Sequence, residues 1–258
     1  MAKNVDILAR LGDFKGASQA AREQATDALV EQLGDGWEAE APDMNEDALS
    51  LVHVATRMRF AAVPGGLFEM GFTESDQEDA QEVMDWDGGG GDYVEELVAT
   101  ARPPHDVTVR PFLCARTVWR DGDKIVDADR AEALRVAAEL GLRLPSEAEL
   151  EWIGRDGGET GFILDAADEP DPEELRSRFG LTELHWFQWA ADDWHASYDG
   201  APGDSAAWMG GDPAGVYRSG FDLRGSQAEE DCALALAAVR HPGDDGQKCR
   251  IRLAWSIP

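Results

Sequence analysis

Gly141-Leu142-Arg143-Leu144-Pro145-Ser146-Glu147-Ala148-Glu149-Leu150-Glu151-Trp152 is the stretch from which the fold can be read. Ser146 to Glu149 has the form of a capping box. The Ser146 hydroxyl can accept from the amide of Glu149 while the Glu149 carboxylate reaches back to the cap, so a helix starts at this point. Upstream, Asp129 to Leu140 is periodic and runs into Gly141, which marks a helix end. Downstream, Asp171-Pro172-Glu173-Glu174 supplies an N-cap, a first-turn proline and dipole-matched acids, and Gly180 closes a third helix.

Strand patterns flank these helices. Val63-Pro64-Gly65-Gly66-Leu67-Phe68-Glu69-Met70-Gly71 reads as strand, turn and strand, with Pro-Gly as the turn signal. His105 to Phe112 alternates, with Val107 and Val109 on one face. Short strands are expected over Val216–Phe221, Leu234–Arg240 and Arg250–Trp255. Residues 1–55 are Ala-rich and predict a helical extension. Ala21, Ala25, Ala28, Leu29 and Leu33 share a face, and the apolar run Ala48–Val54 packs on the main domain, residues 56–258. Gly88 to Gly91 lacks a following Lys-Ser/Thr, which excludes a phosphate-binding loop and leaves a flexible insertion.

Several of these pieces occur in the order of one family. The PGG…MG stretch, Pro104-His105-Asp106-Val107-Thr108-Val109-Arg110-Pro111-Phe112, the RLPSEAE block, Phe187-Gln188-Trp189-Ala190-Ala191-Asp192 with Trp194, and the closing Arg252-Leu253-Ala254 together resemble the formylglycine-generating-enzyme (sulfatase-modifying-factor) family. The resemblance implies a compact, irregular α+β domain of C-type-lectin-like fold. It covers residues 58–258. The family includes copper enzymes that oxidise a sulfatase cysteine to formylglycine, iron-dependent sulfur-transfer enzymes with an added helical domain, and binding proteins.

The residues depart from both enzyme types. Copper catalysis needs two soft thiolates a few residues apart after an "RGGS" strand. Here Tyr217-Arg218-Ser219-Gly220-Phe221 is followed by Asp222 to Glu229 without a cysteine, and Cys232 stands alone in an apolar run. The iron route needs three histidines from a large helical domain, whereas residues 1–55 contain only His53. A metal site built from His185, His195 and His241 would have to be assembled in space. The family's Ca²⁺ site uses a Gly-Asn before its "WEW", and Leu184-His185-Trp186 runs straight into Phe187 instead. Clustered carboxylates could take Ca²⁺, but the usual site is incomplete and no cofactor is expected.

The resemblance places Trp186, His195, Arg218, Arg224 and Arg240 around the family's substrate groove, as a surface for a peptide, glycan or acidic ligand. Trp189 and Trp194 match family core aromatics, and Asp192 matches an aspartate that holds backbone. The expectation is a non-catalytic binding or scaffolding module with a protein or peptide partner. The alternatives are a metal-dependent oxidase-type enzyme with a rebuilt site, or a pseudoenzyme subunit of an active paralogue.

Composition narrows the partners. The net charge is −29, with eleven acidic residues and no Lys or Arg between Glu69 and Glu96 and six more acids from Asp165 to Glu174. Such a surface repels nucleic-acid backbones and anionic membranes and suits a basic partner. A highly soluble or salt-adapted surface accounts for it more simply than a basic partner or Ca²⁺ sites. Three cysteines make no disulfide framework. The chain shows no leader pattern and no membrane-length apolar run, so the expected location is the cytoplasm.

Overall fold

The computed structural model describes residues 5–78, 95, 98–161, 176–218 and 237–258. In chain order the helices are α1 (Leu11–Lys15), α2 (Gln19–Leu33), α3 (Arg130–Glu139) and α4 (Glu147–Gly154), with single 3₁₀ turns at Asp6–Leu8 and Ala99–Ala101. The strands are β1 (Trp37–Ala39), β2 (Leu49–His53), β3 (Arg59–Val63), β4 (Gly66–Met70), β5 (His105–Val109), β6 (Phe112–Ala115), β7 (Arg120–Asp121), β8 (Lys124–Ile125), β9 (Asp127–Ala128), β10 (Gln188–Trp189), β11 (Val216–Arg218), β12 (Arg240–Pro242), β13 (Cys249–Arg250) and β14 (Ala254–Ser256). They form two five-stranded sheets, ordered β1-β2-β3-β6-β14 and β12-β11-β10-β13-β9, and two two-stranded pairs, β4-β5 and β7-β8.

The first sheet organises the molecule because both of its faces are covered. Strand side chains alternate between faces. Ala61, Val63, Phe112 and Cys114 therefore join one apolar cluster with Ala148, Trp152 and Ile153 of α4. Phe60, Ala62, Leu113 and Ala115 join a second with Ala25 and Leu29 of α2 and Ala133 and Ala137 of α3. The antiparallel register Phe60↔Ala115, Ala61↔Cys114, Ala62↔Leu113 and Val63↔Phe112 keeps the two sets apart. A strand buried on both sides reads as an unbroken apolar run, and Phe60–Val63 and Phe112–Ala115 are such runs.

The α+β class implied by the motifs is the one found, and the helix signals place their elements well. Ser18 caps α2, Asp129 caps α3, and the capping box of Ser146 and Glu149 is complete on α4. Gly141 takes φ +68°, the left-handed turn that ends α3. Residues 1–55 are only half helical. Leu49–His53 is strand β2, paired with β3, and Trp37–Ala39 extends the same sheet. The apolar run there is short and every member but Val52 is buried, the environment of a covered strand and too little for an amphipathic helix. The helix expected from Asp171, the four-glycine insertion, and residues 219–221 and 234–236 of the expected strands lie outside the described residues. No helix among the described residues is long and apolar enough to cross a membrane.

Candidate functional site

The motifs converge on α4, whose residues are all buried. Three of them are glutamates, and a buried carboxylate requires a partner. Glu149 is held by Arg143 through two bonds of 2.6 and 2.7 Å. Glu151 accepts from Arg155 at 2.8 Å, Arg218 at 2.6 Å and the Gly71 amide at 2.8 Å. Glu147 accepts from Arg218 at 2.9 Å, from Arg240 at 2.9 and 2.8 Å, and from the Tyr198 hydroxyl at 3.3 Å. Arg155 continues the network to both oxygens of Asp76 and to the Gly71 carbonyl. Burial pushes the Glu147 carboxyl up, but Arg240 and Arg218 outweigh it and hold it below the ordinary carboxylate range.

The two glycines of Val63-Pro64-Gly65-Gly66 receive the last turn of the same helix. Trp152 Nε1 donates to the Pro64 carbonyl at 3.0 Å, and its ring occupies the space a Cβ on Gly66 would need. A Cβ on Gly65 would meet the Val109 carbonyl. The closing Arg252 is buried and donates to Gln188 Oε1 at 2.6 Å, Ala115 O at 2.6 Å and Thr182 O at 2.7 Å. Arg143 and Ala254 exchange backbone hydrogen bonds of 3.0 and 2.7 Å.

Asp192 works on backbone. It accepts from the amides of Glu147 at 2.7 Å and Trp208 at 2.8 Å, joining the N-terminus of α4 to the loop after β10. Its carboxyl is pushed up to about 7 by burial and by the neighbouring Glu147, against the two amides. Asp193 completes the loop, accepting from the Gly210 amide at 2.8 Å and pairing with Arg130 at 3.2 Å.

Of the five residues expected around the groove, the structure brings Arg218, Arg240 and His195 together: both guanidiniums bond Glu147, and Arg240 Nη1 donates to the His195 carbonyl at 2.9 Å. Arg218 and Arg240 are 3% and 2% exposed, and the network around Glu147 engages both guanidiniums. Arg240 also lies 4.5 Å from the Trp194 ring and 4.4 Å from the Tyr198 ring. Both arginine side chains are buried in that network. Arg224 lies outside the described residues. Half-buried His195 stacks face to face on Trp208 at 3.6 Å, with Nδ1 3.1 Å from the Asp193 carbonyl. Trp186, half-buried, sits under the Arg250 guanidinium at 4.0 Å. Trp189 is buried and donates to Ala128 O at 2.8 Å, and Trp194 is half-buried.

The residue after Trp186 begins an aromatic cluster that sequence reasoning missed. Phe187, 40% exposed, meets Tyr217 and His241 edge-on at 5.2 and 5.5 Å, and those two rings stack at 4.9 Å. The signal was available in Tyr217 and His241, each one residue from a buried arginine on a short strand and therefore on the opposite face. The buried glutamates were also missed. Their trace in the sequence is Glu147, Glu151 and Arg155 at i, i+4 spacing along the helix and its C-cap.

Two thiols can be placed. Burial raises Cys114 to about 12 and Cys249 to about 11, so both are protonated at neutral pH. Cys232 lies outside the described residues. Among the described residues no group of three or more His, Cys, Asp or Glu side chains is disposed to hold a metal ion.

No protein-family model and no curated relative matches the chain. Among solved structures it is similar to PvdO from Pseudomonas aeruginosa, with a TM-score of 0.57 and 20% identity over 81% of this chain and 98% of that one. It is also similar to Treponema denticola variable protein 1, with a TM-score of 0.49 and 14% identity over 80% and 98% of the two chains. The likeness to PvdO shows a shared fold, in agreement with the α+β domain that the motifs imply.

Proposed function

We propose that the chain is a non-catalytic binding or scaffolding module that recognises a basic protein or peptide through the face carrying Phe187, Tyr217 and His241, next to Trp186 in the chain. The observation that carries this reading is the edge-on and stacked cluster of Phe187, Tyr217 and His241, with Phe187 exposed. Aromatic faces accept Lys and Arg side chains, and the net charge of −29 draws a basic partner from a distance. The titratable groups below this region support the same reading. Glu147, Glu151, Arg218 and Arg240 are committed to one another, so proton transfer through them would first have to break buried ion pairs.

The test is binding of lysine- and arginine-rich peptides by fluorescence anisotropy. A Phe187→Ala, Tyr217→Ala double variant is expected to weaken binding about thirtyfold or more, since each buried aromatic contributes about 1–3 kcal/mol at an interface hot spot and about 1.4 kcal/mol is tenfold. Equal affinity of the double variant and the wild type would remove this face from the proposal.

A second reading, an enzyme with a rebuilt site, draws on the raised carboxyl of Asp192. Both Asp192 oxygens are taken by backbone amides, and His195 bonds the neighbouring carbonyl. A pseudoenzyme subunit is a special case of the first reading, with an active paralogue as the partner.

A further inference from the structure

A cavity of about 580 Å³ opens between the β2–β3 turn, the segment after β6 and the start of β7. Among the described residues its lining carries five arginines, Arg57, Arg59, Arg116, Arg120 and Arg176, against one acid, Asp121. Chance would not favour this on a chain where acids outnumber Lys and Arg by 52 to 23. The guanidiniums are held in place by carboxylates that do not themselves line the cavity. Glu38 holds Arg57 at 3.0 Å, Glu40 holds Arg59 at 2.8 Å, Glu46 grips Arg116 with two bonds of 2.9 and 2.6 Å, and Glu183 binds Arg120.

These pairs leave donors over. A guanidinium has five N–H groups. Among the described residues Arg57 uses only Nη1 and Arg59 only Nε in side-chain hydrogen bonds. The buried Nε of Arg116 meets no acceptor there, although the rest of its guanidinium is fixed. Fixed, partly unsatisfied guanidiniums suit bidentate recognition of phosphate or carboxylate oxygens. The remaining wall is apolar, with Met58, Val118, Trp119 and Leu140, and the volume is that of a small-molecule site.

We infer that this cavity binds a compact polyanion, a small molecule with a phosphate or several carboxylates at one end and an apolar or planar body at the other. The site shares no residue with the aromatic face.

The experiment is titration calorimetry at fixed ionic strength with inorganic phosphate, pyrophosphate, citrate and phenyl phosphate. Pyrophosphate or citrate is expected to bind at one site per chain, and the two arms separate a phosphate ligand from a carboxylate one. Phenyl phosphate is expected to bind more tightly than inorganic phosphate, because the ring covers the Trp119 wall. An Arg57→Gln, Arg59→Gln double variant should weaken binding by about tenfold or more, the loss of one or two charge-assisted hydrogen bonds. Both side chains are more than half exposed, so the fold should persist. Arg176→Gln, a single exposed change, gives the same readout if the double variant is unstable. Arg110→Gln, Arg135→Gln removes two charges outside the cavity and should leave affinity within about twofold. Absence of heat with every probe at millimolar concentration would overturn the inference. So would equal losses in the cavity and control variants.

Discussion

Replacing Glu147 by glutamine tests whether α4 is the electrostatic keystone of the fold. The substitution keeps shape but removes a charge that Arg218 and Arg240 share through three bonds of 2.8–2.9 Å, all fully buried. Glutamine offers one oxygen and turns an NH₂ toward a guanidinium, so at least one buried arginine loses its acceptor. Breaking a buried ion pair from one side costs about 3–5 kcal/mol. For a chain of this size each kcal/mol moves the melting temperature by about 2–4 °C. The expected fall is therefore about 10 °C, read by calorimetry or circular dichroism. The matched control is Glu139→Gln, which loses a solvent-exposed i, i+4 partner of Arg135 and should leave the melting temperature within about 2 °C. A second readout isolates charge from packing. Because the Glu147 charge helps to raise the Asp192 carboxyl, that carboxyl should titrate below about 7 in the variant, followed by carbon-13 NMR. If Glu147→Gln is no more destabilising than Glu139→Gln, or if Asp192 titrates as in the wild type, the reasoning about the buried network fails.

Three other outcomes are expected. Asp192 is protonated in the fold up to about 7 and in the unfolded chain only to its ordinary value of 3.8. The raised folded value means its stabilising contribution is full below pH 3.8 and is lost as pH rises through about 7. The stability difference between wild type and Asp192→Asn should change across that window in urea titrations, and a constant difference would contradict it. Glu147 has the opposite sign, its lowered folded value giving stability that is present above the ordinary carboxylate pKa and lost only in stronger acid. Gly66→Ala should cost about 1–3 kcal/mol by driving a Cβ into the Trp152 ring, measured as a lowered urea midpoint with unchanged slope. Finally, a sulfatase-type cysteine peptide incubated aerobically with the protein and Cu(I) should keep its thiol in mass spectra. Appearance of formylglycine would refute the non-catalytic reading.

The fold was legible where local chemistry decides it. Ser146 and Glu149, Asp129 and Gly141 announce their helices through hydrogen bonds that a few neighbouring residues can satisfy. Leu49–His53 was not legible as a strand, because a short apolar run reports burial without saying whether a sheet or a helix face provides it. The inward direction of two of the expected site residues was hidden for a related reason. Arg218 and Arg240 stand on short strands, and only the three-dimensional position of Glu147 turns them inward. Sequence spacing could not show that a glutamate on a capped helix start would meet guanidiniums from two strands, 71 and 93 residues away.

That placement explains why the motifs inform on shape and leave chemistry open. Each motif contributes a group that another motif consumes. Pro64 receives Trp152, Gly71 meets Glu151, Asp192 receives the Glu147 amide, and Ala254 pairs with Arg143. Chemistry at a surface needs groups whose partners are not already inside the fold. On this chain such groups occur among the described residues at the Phe187–Tyr217–His241 face, which only the first residue of the Phe187–Asp192 motif reaches, and in the arginine-lined cavity beside β7, which no motif reaches. A variant series that separates them is therefore decisive. Phe187→Ala, Tyr217→Ala should weaken peptide binding and leave anion binding intact, and Arg57→Gln, Arg59→Gln should do the reverse. Joint loss in either variant, with the melting temperature unchanged, would mean that the two surfaces act as one site.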